Sequence, residues 1–127
     1  MSTANSPATL DQRRAAHAWQ VANDLKGDKK QFGTQVKKLP TRIMAAGLGQ
    51  ALAFLEAKKY APELQQALAN WIHERRPVKD GETKRLVVRV IQGDADFLRF
   101  ATAESLAYLA WLVRFADALG YTGDSEG

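Results

Sequence analysis

The stretch QVKKLPTRIMAAGLGQALAFLEAKK, Gln35 to Lys59, decides how the chain folds. Its apolar residues recur at helical spacing, yet it contains one proline and two glycines, the residues that punctuate helices. Pro40 disfavours helical geometry at Leu39 and suits the first turn of a helix, where its missing N–H costs nothing. The stretch therefore predicts a helix from Lys29 that ends or kinks at Leu39, followed by a second helix from Pro40 to about Lys59. On that second helix Met44, Leu48, Leu52 and Leu55 make a core stripe, and Ile43, Gly47, Ala51 and Phe54 make the neighbouring row. A glycine inside a helix costs roughly 0.5–1 kcal/mol relative to alanine, so both glycines need a compensating role. For Gly47 we expect the close approach of another helix. Gly49 shares a side with Arg42, Ala45 and Glu56, a small-residue surface beside a cation that suits a phosphate backbone or another subunit.

Outward from this stretch the chain reads as further helices joined by short turns. Thr9 and Gln12 have capping-box spacing, and Leu10, Ala18, Val21, Ala22 and Leu25 follow on one face until Gly27. Trp19 lies off that stripe and implies a second packing partner. Pro62 opens a helix with Leu64, Ala67, Leu68, Trp71 and Ile72 inward, ended by Pro77 and the Asp80–Gly81 turn. RLVVRVIQG is β-branched and favours a strand by propensity. With no partner strand in the chain we read residues 84–92 as helix, the extended alternative staying open. Asp94 caps a short helical turn to Phe100. Thr102 caps a last helix, TAESLAYLAWLVRFADALG, closed by Gly120, whose Tyr108, Leu109, Leu112, Val113, Phe115, Ala116 and Leu119 form a broad apolar arc. Ala107, Ala110, Arg114 and Asp117 form the opposite strip. The fold class is an all-α, single-domain compact bundle over residues 1–127, with mobile tails expected at 1–8 and 121–127.

Composition narrows the function. The chain has 127 residues, 46% hydrophobic and 25% charged, which suits one globular domain. It has no cysteine, which removes disulfides, thiolate zinc sites and thiol catalysis. Met1 to Pro7 lacks the pattern of a signal peptide and no apolar run is long enough to span a bilayer, so a soluble cytoplasmic protein is expected. The net charge of +4 is unevenly spread: Lys26 to Lys59 holds eight lysines and arginines against Asp28 and Glu56, whereas the chain turns acidic after Phe100. A concentrated basic segment points to a polyanion, most often nucleic acid, with a solvated lysine face as the plainer alternative. The candidate contacts are Lys37, Lys38 and Arg42 at the Leu-Pro corner, Lys58 and Lys59 at the far end, and Arg114. The competing role for Arg114 is an intrahelical pair with Asp117. With so few contacts the isolated chain is expected to be a monomer that binds nucleic acid weakly and without sequence preference.

No catalytic constellation emerges. His17 and His73 are the only histidines, far apart and expected at the surface, and no phosphate loop or dinucleotide fingerprint is present. No enzyme activity, metal or cofactor is expected.

Two blocks carry a family likeness. KKLPTRIMAAGLGQALAFLEAK (Lys37–Lys58) and TAESLAYLAWLVRFADALG (Thr102–Gly120) together resemble the small subunit of the type III-B CRISPR effector, the Cmr complex. The first carries Leu39–Pro40, then Gly47, Leu48, Gln50, Leu52 and Phe54. The second carries Thr102, Glu104, Tyr108, Leu109, Trp111, Leu112, Arg114, Phe115 and Ala116. The blocks cover about a third of the chain, and residues 61–101 carry little of the pattern. The resemblance implies a bundle of about six helices and a non-catalytic role in antiviral defence. It also implies partners: other Cmr subunits, further copies of the chain stacked along the crRNA-bearing backbone, crRNA and target RNA, and no membrane. The alternative is a free-standing helical nucleic-acid-binding or protein-interaction module.

Overall fold

The computed structural model describes residues 6–123. These form six α-helices: α1 (Leu10–Asn23), α2 (Lys29–Ala46), α3 (Leu48–Lys58), α4 (Pro62–Arg75), α5 (Leu86–Gln92) and α6 (Ala95–Ala118). No strand occurs among the described residues. None of these helices is long and apolar enough to cross a membrane. The long α6 packs against all five others, so the core is arranged around its apolar arc. Tyr108, Leu109, Leu112 and Ala116 on α6 are fully buried, with Trp71 of α4, Phe32 of α2 and Leu55 of α3.

Local signals place several helix ends where the sequence predicts them. The Thr9 hydroxyl accepts from the Gln12 N–H at 3.0 Å, while the Gln12 side chain accepts from the Thr9 N–H at 2.8 Å, which closes the capping box. Pro62 opens α4, and all five residues of its predicted inner face are buried. Residues 86–92 are helical, with Leu86, Val87 and Val90 buried at helical rather than alternating spacing. Packing overrides the β-propensity of this run.

Two boundaries differ from expectation. α2 runs straight through Pro40 and ends at Gly47, so no helix starts at the Leu-Pro corner. Pro40 removes the amide that would bond the Val36 carbonyl, a cost of about 3 kcal/mol in an unsupported helix. Val36, Leu39 and Ile43 lie within one continuous buried stripe on both sides of the proline, and this burial holds the helical frame. The real corner is Gly47, at φ 91° and ψ 159°. That conformation is essentially restricted to glycine. A Cβ at Gly47 would meet nothing within 4 Å, so the residue serves the turn and not a helix crossing. The second difference is that α6 is one uninterrupted helix from its Asp94 cap, with Thr102 inside it. No glycine or proline lies between Ala95 and Ala118 to divide it.

Tyr121, which the sequence places in a mobile tail, docks instead. Its hydroxyl donates to the Ala22 carbonyl at 2.9 Å and its ring meets Phe32 edge-on at 6.4 Å. A Cβ on Gly33 would lie 2.1 Å from the Tyr121 carbonyl oxygen, so the absent side chain admits this segment against α2. Of the expected tails, residues 1–5 and 124–127 lie outside the described residues.

Candidate nucleic-acid interface

The corner at Gly47 folds α3 back along α2, and this brings Arg42 and Lys58 to one aromatic ring. Lys37 and Lys38 are exposed on α2. Arg42 is one turn beyond Lys38, half-buried, with its guanidinium 4.2 Å from the centre of the Phe54 ring on α3. Its Nη1 donates to the Gln35 side-chain oxygen at 2.7 Å. The Lys58 ammonium lies 6.0 Å from the same ring, and Tyr60 meets Phe54 edge-on. Phe54 thus draws Arg42 and Lys58 from the two ends of the stretch towards one ring through its negative face. Lys59 follows in left-handed geometry as the C-cap of α3. Among the described residues none of these five cations forms an ion pair with a carboxylate. Gly49 faces α5, with the Val90 side chain 3.6 Å from where its Cβ would be, so it does not lie on an open phosphate-facing surface.

Arg114 stands on a different helix, α6, and is exposed. The intrahelical pair with Asp117 is not formed: Asp117 accepts from the Thr122 hydroxyl. Arg114→Ala is therefore expected to change the melting temperature by no more than about 2 °C, as for an exposed residue with no ion-pair partner among the described residues. A loss well beyond that in a thermal melt would make Arg114 a structural residue.

The structure also contains a buried polar cluster that sequence reasoning missed. Glu104 on α6 is 6% exposed and takes four hydrogen bonds. Arg14 of α1 donates at 2.6 and 3.1 Å, Arg75 of α4 at 2.7 Å, and the Trp71 indole at 2.7 Å. Burial pushes the Glu104 carboxyl up, but the hydrogen bonds from Arg14 and Trp71 and the charges of both arginines outweigh it and hold it below its ordinary value. Its partners are 29 to 90 residues away, so local spacing gives no sign of them. The one available signal was the place of Glu104 in the family pattern.

Neither histidine is a free surface residue. His17 packs beside Trp71, with ring centres 5.3 Å apart, and its Nδ1 is 2.8 Å from the Tyr108 hydroxyl. Burial lowers the His17 pKa, opposed by the Glu74 charge. Burial also raises that of Tyr108. His73 Nε2 lies 2.8 Å from the Lys84 carbonyl, to which it donates, leaving Nδ1 to accept from Arg89 at 2.8 Å. Both rings are structural ties between helices and loops. Among the described residues no group of three or more histidines and carboxylates is placed to hold a metal ion.

Comparison with known proteins agrees with this architecture. The chain is similar over 88% of its length, at 26% identity and a TM-score of 0.74, to the crystal structure of a CRISPR-associated Cmr5 family protein from Thermus thermophilus, covering 98% of that chain. The family described as CRISPR-associated protein (Cas_Cmr5) matches residues 10–119, which takes in all six helices, the Gly47 corner and the Glu104 cluster. The chain belongs to the Cmr5 family of CRISPR-associated proteins.

Proposed function

We propose that the chain is the small subunit of a type III-B CRISPR effector, stacked with copies of itself along the crRNA-bearing backbone. In this reading Lys37, Lys38, Arg42, Lys58 and Lys59 face the phosphates of the guide–target duplex, with Arg114 as a further contact to RNA or to a neighbouring subunit. Members of the family are non-catalytic scaffold subunits, and the chain has that role. The observation that carries the RNA contact is that the five cations along α2, α3 and its cap, two of them gathered on Phe54, are neutralised by no described carboxylate. Surface cations left without partners leave a positive field for a polyanion. An A-form duplex is recognised through its shape and backbone, so cations without base-reading groups suffice.

The test uses Lys37→Glu/Lys38→Glu. Arg42 is left intact because its stack on Phe54 ties α2 to α3 and its guanidinium is engaged by Gln35 of its own helix, so reversing it would disturb the fold. An assembled effector carrying the double variant is expected to bind target RNA about tenfold more weakly at moderate salt, with a shallower salt dependence. Unchanged affinity with normal incorporation of the subunit would remove these lysines from the interface.

A further inference from the structure

A second basic surface lies where the loop after α4 meets the end of α5 and the start of α6. It surrounds a cleft of about 400 Å³ lined by Arg76, Lys79, Arg89, Gly93 and Phe97 among others. Three arginines lie against two phenylalanines here. Arg89 sits 4.6 Å from the Phe97 ring centre, Arg76 4.1 Å from that of Phe100, and Arg75 5.2 Å from Phe100. Phe97 and Phe100 are three residues apart on α6, so they share a face, with ring centres 6.2 Å apart and both half-buried.

The three arginines are engaged differently. Arg89 is held: it donates to His73, to the Arg76 carbonyl and to the Pro77 carbonyl. Arg75 is tied to Glu104. The exposed Arg76 has no hydrogen bond or ion pair from its side chain among the described residues, and neither has Lys79. Two carboxylates also line the cleft, but each is occupied by backbone. Glu82 accepts from the Lys79 N–H at 2.9 Å, and Asp94 caps α6 at the Phe97 N–H at 2.8 Å. A guanidinium stacked on a ring keeps its in-plane donors for a phosphate. Bases stack on guanidinium planes as well as on aromatic rings, so a ring–arginine stack gives a platform for unpaired bases.

We infer that this cleft binds unpaired single-stranded RNA, with Arg76 and Lys79 on the phosphates and a base against Phe97 and the guanidinium stacked on it. A cleft of this volume accommodates a nucleotide, whereas a base inside a duplex would have to leave its stack to enter. The surface shares no residue with the α2–α3 cations, and its function in the isolated chain does not require the effector.

The experiment titrates the purified full chain with two probes at about 50 mM salt, an oligouridylate of about 12 nucleotides and an RNA duplex of about 20 base pairs. Arg76→Glu/Lys79→Glu is expected to weaken oligouridylate binding about tenfold, lower its log–log salt slope by about 1.4, and leave duplex binding within about twofold. Lys37→Glu/Lys38→Glu should do the reverse, and its failure to do so would count against the duplex interface while leaving the cleft standing. Lys79→Glu alone, at an exposed loop position, repeats the measurement with a smaller loss and guards against misfolding of the double variant. Oligouridylate binding that stays within twofold in the cleft variants, or falls by the same factor as duplex binding, would overturn the inference.

Discussion

Replacing Glu104 by glutamine is expected to lower the unfolding free energy by about 3 kcal/mol, because it leaves the partly buried Arg75 guanidinium without its counter-charge and Arg14 with only the exposed Asp11. The Arg14 side chain is 12% exposed and that of Arg75 26%, so water screens neither of them fully. Glutamine keeps the shape but turns one acceptor into a donor that faces an arginine or the Trp71 N–H. The melting temperature should fall by roughly 10 °C for a chain of this size. Urea unfolding of the two proteins measures this directly, and a loss below about 1 kcal/mol would show that the cluster is not what joins α1, α4 and α6.

The same cluster sets the response to acid. The folded-state pKa of Glu104 is lowered, so its contribution is complete above the ordinary 4.5 and is lost as pH falls through the native value. His17 is also lowered, by burial, so the native state keeps it neutral and stability starts to erode as pH drops below its ordinary 6.5. Both effects act in the same direction: stability declines from about pH 6.5 downward, first through His17 and then through Glu104. In the glutamine variant the lower part of that decline should flatten and the upper part should persist.

These residues show what the sequence does and does not reveal. The capping box at Thr9, the proline start of α4 and the arc of α6 depend on neighbours within a turn or two, and each was legible. Around Pro40 and Gly47 two breaking signals compete within two helical turns, and local rules favour the proline. The outcome is decided by burial of Val36, Leu39 and Ile43 against other helices, which only the fold provides. The basic residues of the Gln35–Lys59 stretch were legible as charge. The gathering of Arg42 and Lys58 on Phe54 depends on the corner being at Gly47. Arg76, Arg89, Phe97 and Phe100 escaped notice because they come from three elements and no short motif contains them.

The two glycines of the opening stretch should respond to alanine with opposite signs. Gly47→Ala is expected to destabilise the protein by about 2 kcal/mol, since no L side chain adopts φ 91° with ψ 159° without strain. Space is not the issue, because nothing lies within 4 Å of the missing Cβ. The alternative open to the variant is to continue α2 helically into α3. That would draw Leu48, Ala51, Leu52 and Leu55 out of the core, at a greater cost than the strain. Gly49, by contrast, lies in the first turn of α3, where a Cβ would make ordinary contact with Val90 at 3.6 Å. Gly49→Ala is therefore expected to stabilise the protein by about 0.5–1 kcal/mol, through the lower entropy of the unfolded chain and a better helix residue. Denaturant unfolding of the two single variants decides the matter. A neutral Gly47→Ala would mean that the corner is not built on backbone conformation, and a damaging Gly49→Ala would mean that α3 and α5 approach more closely than the Val90 contact indicates.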